Sequence, residues 1–493
     1  MTTKYLGGTL FLALTLGLGA CGGGGGGGEP GQPGSGPSGI ASTYRGIWLA
    51  EAYGRAMEIG SATVRWLDYT SDFCLAADEA DGVTTEDLEG LYRLDGDQLE
   101  QYGANGTAAL SAPGERFSRV EALPDSCRAG LTPTVGESGY SPDAARDLAL
   151  YAQLLSEYSI HPELRNVDIS AIYSGISPTI GANSSEEALV EALFQLTAPL
   201  GDIHTSVETP VGLVRVQNKQ TLDWLLLDEY LQQESLSGTL TPAQVDAANA
   251  YIGAQRDRDR AVTLSYAASE RPPRQGGRGQ LTWFTNSGIG YLAIDAMTGF
   301  AVEEDNSAQL AALDAALDEA LGDLQDVAAL VVDVRRNGGG RDFLALAAAS
   351  RFAANETLAY RKQARLGTGR TEAVDVYLSP RGRQYLGPVL LLTSASTVSG
   401  GEVFALAMRS LPQVTLLGEP TQGAFSDVLE KRLTNGYAVG LANEYYLDPE
   451  GRSFETLGVP VDVEVIQFDA QHRREGIDLS IEAAVELLGA RGE

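Results

Sequence analysis

The chain has 493 residues, 43% of them hydrophobic and 20% charged, a composition too apolar for disorder and a length too great for one hydrophobic core. Lys and Arg number 35 against 66 Asp and Glu, a net charge of −31; a surface that negative repels phosphate backbones and excludes nucleic acid as the expected partner. His161, His204 and His472, Cys21, Cys74 and Cys127 are all the histidines and cysteines present, too few and too dispersed for a His-rich or Cys-based metal centre, so neither metal nor cofactor is expected.

Residues 1–20 read as an export signal. Lys4 precedes an apolar run from Leu6 to Ala20 that is short and Gly-rich for a membrane span but suited to the h-region of a signal peptide. The run ends Leu18-Gly19-Ala20-Cys21, which resembles the bacterial lipobox. That resemblance implies cleavage before Cys21 and lipid acylation of Cys21, the alternative being an incidental Cys beside another cleavage site. Residues 21–40 contain the unbroken glycine run Gly22 to Gly28 and a Gly/Pro/Ser-rich stretch, a flexible tether with nothing to pack. Gly rather than Asp follows Cys21. By resemblance to lipoprotein sorting, the expected address is the cell envelope, on the outer membrane facing the periplasm. Export leaves Cys74 and Cys127 in an oxidising space, where one disulfide between them is expected and two buried free thiols are the alternative.

Residues 41–135 read as a small β-rich domain. Thr63 to Thr70 mixes β-branched and aromatic residues with partial alternation, and Tyr92-Arg93-Leu94 and Gln98-Leu99-Glu100 flank an Asp95-Gly96 turn, a hairpin signal. This stretch holds no His, no Lys and no clustered polar motif, so no chemistry is assigned to it.

From Ser141 the period becomes helical, with Ser141 expected as N-cap and Pro142 at the first helical position. Leu148, Tyr151, Leu155 and Tyr158 share one face of that helix. A second helix begins near Ser184-Ser185-Glu186-Glu187, is expected to stop at Pro199, and leads into the loop Gly201-Asp202-Ile203-His204-Thr205. Residues from about Leu222 to about Arg260 read as a further helical insertion, which completes a helical part over 140–285. From 286 to 490 strands and helices alternate: Ile289–Ile294, Ala329–Val334, Val389–Thr393 and Val414–Leu417 as strands, with helices over Ser307–Leu324, Phe343–Phe352 and Glu402–Ser410. Such alternation predicts an α/β core with helices on the faces of a sheet.

Three segments of this core carry chemistry: Asp333-Val334-Arg335-Arg336-Asn337-Gly338-Gly339-Gly340 after one buried strand, Thr397-Val398-Ser399-Gly400-Gly401-Glu402 between a strand and a helix, and Gly418-Glu419-Pro420-Thr421-Gln422-Gly423 followed by Glu455-Thr456-Leu457-Gly458-Val459-Pro460. Together with the His204 loop, and over residues 140–490, they resemble the tail-specific, or C-terminal-processing, serine protease family, and more closely its tricorn-core branch. The resemblance implies a ClpP/crotonase-like α/β sandwich with an N-terminal helical subdomain. It also implies Ser399 as nucleophile, His204 as base, Glu455 as the acidic partner, and the Gly400 and Gly339 amides as the oxyanion hole. Local chemistry agrees at Ser399. A serine where a buried strand gives way to a helix can expose its hydroxyl on a sharp turn, and the helix N-terminus favours developing negative charge. The plain alternative for such a serine is a helix N-cap. Ser394 and Ser396 are rival serines that lack the Gly-Gly-Glu sequence.

The base departs from parts of the family pattern. The tail-specific branch keeps a catalytic Lys where this chain has Ala424, so that mechanism is not carried over. In tricorn a Ser precedes the His, and that position here is Ile203; Asp202 and Thr205 are the residues left to orient the ring. His161 follows no family motif and His472 lies near the chain end.

The resulting expectation is a lipid-anchored serine endopeptidase acting on exported proteins or peptides through an acyl-enzyme. Its alternative is a non-catalytic ligand- or peptide-binding lipoprotein on the same fold.

Overall fold

The computed structural model describes residues 39–101, 114–238 and 240–490; Cys21, the signal and most of the tether lie outside the described residues. The first layer of the chain is a seven-stranded antiparallel sheet. Its strands stand in the order Cys74–Asp81, Thr63–Tyr69, Arg55–Ile59, Gly46–Ala50, Arg116–Val120, Gln98–Gln101 and Tyr92–Asp95. The hairpin signal at Asp95-Gly96 is realised, with Asp95 opposite Gln98 and Gly96 at φ +57°, a left-handed conformation that glycine adopts without steric cost. Trp48, Met57, Leu99 and Phe117 fill one face of the sheet. A disulfide joins Cys74 to Cys127, across Cα atoms 4.9 Å apart, and so ties an edge strand to the helix Asp125–Ala129.

The helical region begins two residues later than the sequence suggests. Ser141 does not cap it; the Asp143 carboxylate accepts from the Arg146 amide at 3.1 Å, and the helix is Ala144–Glu157. A charged acceptor at the N-cap also meets the positive end of the helix dipole. The helix Glu186–Thr197 is capped by Ser185, and the chain does not break at Pro199 but continues as a 3-10 turn, Ala198–Leu200. Pro is tolerated there because the first turn of a helix leaves its amides unpaired. Leu148, Tyr151, Leu155, Leu193 and Leu196 pack with Val207, Val439 and Leu441. The helices therefore lie on a small sheet ordered Val428–Arg432, Ala438–Ala442, Ser206–Thr209 and Gly212–Arg215.

The α/β core is built on a second seven-stranded sheet. Arg274–Gly276 and Leu281–Asn286 enter it antiparallel; Ile289–Ile294, Ala329–Asp333, Val389–Thr393, Val414–Gly418 and Val463–Glu464 follow in parallel. Ala329–Asp333 and Val389–Thr393 are buried at every position, as parallel strands covered on both faces must be. On one face lie the helices Asn306–Asp323, Asp342–Ala349 and Gly400–Arg409; on the other lies the C-terminal helix Leu479–Ala490. The long strand Thr357–Leu366, paired with Val374–Leu378 and Glu444–Leu447, was not anticipated. Its charged and polar residues hide the period-2 pattern. Among the described residues no helix is long and apolar enough to cross a membrane.

Candidate active site

The loops that leave the parallel strands at their C-terminal ends converge. The first, after Ala329–Asp333, is pinned from beneath: Arg335 bonds Asp333 and Asp478 with its guanidinium, and all three are buried. Asn337, fully buried, takes the Gly339 amide on Oδ1 at 2.9 Å. The second loop lies on the first. Ser394 donates its hydroxyl to the Arg335 carbonyl, Thr397 donates to that of Val334, and the Val398 amide reaches Asn337. A Cβ at Gly339 would stand 2.7 Å from the Ser399 Cβ, and one at Gly400 would stand 2.8 Å from the Gly340 carbonyl. The glycines of both motifs are required by this close stacking.

Ser399 has φ +54° and ψ −125° at the start of the helix Gly400–Arg409. A non-glycine residue at positive φ carries backbone strain that only its surroundings can hold. Here the Ser399 amide is held by the Ala424 carbonyl at 3.1 Å and by Glu402 Oε2 at 3.2 Å. Glu402 is fully buried and accepts as well from the Thr421 hydroxyl and the Gly423 and Ala424 amides. Burial pushes its carboxyl up to about 7 against the pull of those donors. The rival serines are occupied structurally: Ser394 as above, while the Ser396 hydroxyl takes the Leu222 amide at 2.6 Å.

His204 sits on the turn after Gly201, which is left-handed at φ +54°. Asp202 shapes this turn, accepting from the His204 amide at 3.1 Å and from the Thr205 amide and hydroxyl at 2.7 Å each. Asp202 and Thr205, the residues expected to orient the ring, thus bond each other and the backbone of the turn, and His204 Nδ1 is buried without a partner. Asp427 is a neighbour that sequence reading missed. Burial works to raise its carboxyl, and Lys362 and then His204 overcome it and hold it below the ordinary range.

Glu455, between the strands Glu444–Leu447 and Val463–Glu464, lies against the loop that leaves Val414–Gly418. Its Oε2 accepts from the Phe425 and Ser426 amides at 3.0 and 3.3 Å, next to the Ala424 carbonyl that holds Ser399. Its Oε1 faces His161 Nε2 at 3.5 Å, and the same nitrogen stands 3.2 Å from Asp202 Oδ2. All three side chains are fully buried. The contacts are too poorly aligned for hydrogen bonds and act as charge contacts. Burial opposes the His161 charge, but Asp202 and then Glu455 push the imidazole up to about 10. Burial likewise works to raise Asp202, and His161 and then His204 overcome it and hold that carboxyl far below its usual range. The structure thus brings to Glu455 the histidine that no motif marked. No sequence spacing could have found it, because residues 161, 202 and 455 meet only through the tertiary fold.

The three place ligand-type atoms within 4.8 Å of one another, a set chemically able to hold a cation. The fit is poor. A metal-bound imidazole is normally oriented through its other nitrogen, and His161 Nδ1 is buried without a partner. The lysines of the described residues are also accounted for. Lys431 binds Asp68 and the Gly54 carbonyl, Lys219 the Thr421 and Leu457 carbonyls, and Lys362 bridges Asp427 and Glu444. Ala424 is buried.

The family model for peptidase family S41 matches residues 288–465, a span that includes Gly339, Ser399, Gly400 and Glu455 but neither His161 nor His204. A comparison with curated proteins finds no match. Among solved structures the chain is similar to a candidate peptidase from Parabacteroides merdae ATCC 43184, with 22% identity and a TM-score of 0.55 over 71% of this chain and 97% of that one. Mature CPAF complexed with lactacystin aligns at 13% identity and a TM-score of 0.46 over 68% and 95%. The photosystem II D1 C-terminal processing protease aligns at 12% and 0.39 over 68% and 98%. The first of these supports the α/β fold. The chain carries a peptidase family S41 domain over residues 288–465.

Proposed function

We propose that this protein is a serine endopeptidase of the cell envelope, tethered by lipid on Cys21, that cleaves exported proteins or peptides. The observation that carries the reading is the strained Ser399 at the strand–helix junction, with a side-chain-free glycine loop pressed against it. Ser399 Oγ attacks the scissile carbonyl carbon while His204 takes its proton. Collapse of the tetrahedral intermediate passes that proton to the leaving amine and leaves an acyl ester on Ser399. Water, deprotonated by the same imidazole, then releases the acid and restores the hydroxyl. The Gly400 amide, at the N-terminus of its helix, stabilises the oxyanion. Gly339 joins it once its amide exchanges Asn337 for the substrate oxygen. Glu455 supports the site from the Phe425 and Ser426 amides.

A fluorophosphonate probe tests the nucleophile directly. It labels the wild type and fails on Ser399→Ala; labelling that survives the substitution assigns the nucleophile elsewhere, and a wild type that is never labelled favours the binding-protein reading. The anchor is tested separately. Cys21→Ser moves the protein from the membrane fraction to the soluble one, and retention on the membrane overturns the lipid tether.

A further inference from the structure

We propose that His161 is a positioning residue of the Ser399 site, a buried imidazolium that clamps the carboxylates of Asp202 and Glu455 and thereby holds the His204 turn against the Ala424–Ser426 segment. The inference rests on the reading of Ser399 as nucleophile and His204 as base.

Two loops far apart in the chain each end on a carboxylate, and each carboxylate is bonded to the backbone that carries a reacting or holding group. Asp202 grips the amides of His204 and Thr205. Glu455 grips the amides of Phe425 and Ser426, one residue beyond the carbonyl that holds Ser399. Left alone, two buried carboxylates repel each other and drive the loops apart. His161 Nε2 stands between them, 3.2 Å from one and 3.5 Å from the other. A single cation there converts repulsion into a tie. Its own placement is rigid: Ile160 bonds the Ala442 carbonyl at 2.9 Å, and His161 opens a short helix at a proline.

The titratable groups around His161 come from each packed segment: Asp202 and His204 from the 201–205 turn, Glu455 from the stretch before Val463–Glu464, and Glu402 next to Glu455 from the helix Gly400–Arg409. His161 is not itself the base. Its side chain is fully buried, its Nε2 faces the two carboxylates, and a base must be able to accept a proton at the working pH.

The test uses the full chain. Because a loop shift of about 1 Å costs on the order of 10²-fold in rate, His161→Gln should slow fluorophosphonate labelling of Ser399 and lower kcat on fluorescein-labelled casein by about that factor, with KM changed less than about threefold. Asp202→Asn and Glu455→Gln should add little further loss in the His161→Gln background, although each is harmful alone. Imidazole nitrogen NMR of the wild type, assigned with His204→Gln and His472→Gln, should show both His161 ring nitrogens protonated from about pH 6 to about pH 9. This readout needs no His161 variant to fold. A neutral His161 at pH 7, a stoichiometric bound metal, or His161→Gln labelling at the wild-type rate each overturns the clamp. Labelling that persists in Ser399→Ala instead overturns the underlying serine reading, so the two failures are distinguishable.

Discussion

The N-terminal sheet and the core sheet each have seven strands, yet the candidate site residues gather at the core sheet. In the N-terminal sheet every strand runs antiparallel to its neighbours. Several of its connections turn straight back, as at Asp95-Gly96, so its loops are divided between both ends. In the core five successive strands are parallel, and every return runs through a crossover. The loops leaving Asp333, Thr393 and Gly418 therefore emerge at one edge, where open parallel sheets characteristically place their ligands. Parallel order gathers residues from distant parts of the sequence, and antiparallel order spends them on the sheet.

Substitutions can break that contrast from either side. The largest effect is expected in the gathered loops. His204→Ala should lower kcat by at least about 10³-fold, as loss of a triad member does, without changing the thermal transition; a loss under tenfold places the base elsewhere. In the N-terminal sheet the largest effect should be structural. Trp48 is fully buried, bonds the Tyr44 carbonyl and lies under Arg119, so Trp48→Ala should cost about 3–5 kcal/mol in denaturant unfolding. Fluorophosphonate labelling of the surviving native fraction should stay at the wild-type rate, and its loss would mean that the sheet helps shape the site.

Opening the disulfide with Cys74→Ser and Cys127→Ser closes no loop in the unfolded chain and should cost roughly 3–4 kcal/mol in the chain-entropy model, read as a lower midpoint in urea. A pH series separates the two regions further. His161 is raised in the folded state, so its contribution to stability is complete below about pH 6.5, declines above it and is gone beyond about pH 10. Asp202 is lowered, so its contribution is present above its unfolded value and is lost as pH falls through the acid range. His161→Gln should flatten the alkaline slope; an unchanged slope would place the titrating group elsewhere. The smallest effect on catalysis is expected at the seam. Lys431, on the small four-stranded sheet, bonds Asp68 and the Gly54 carbonyl of the N-terminal region, and Lys431→Met should keep kcat within about twofold of wild type. A thousandfold loss there would restore a lysine base.

Local physics was readable along the chain. The strands of the parallel core read directly because burial on both faces makes them continuous apolar runs, and the glycine motifs read because close backbone approach leaves no room for a Cβ. The place of Ser399 between a buried strand and a helix was legible for the same reason. The strand Thr357–Leu366 was not, because its polar residues hide the alternation and one of its partners, Glu444–Leu447, lies far along the chain. The company of Glu455 is set by folding in three dimensions. It faces His161 across 294 residues of chain. Periodicity reaches a few residues and a motif a dozen; a buried charge chooses its partner by distance in space, where the loss of water makes an unpaired carboxylate costly and an imidazole beside it worth keeping.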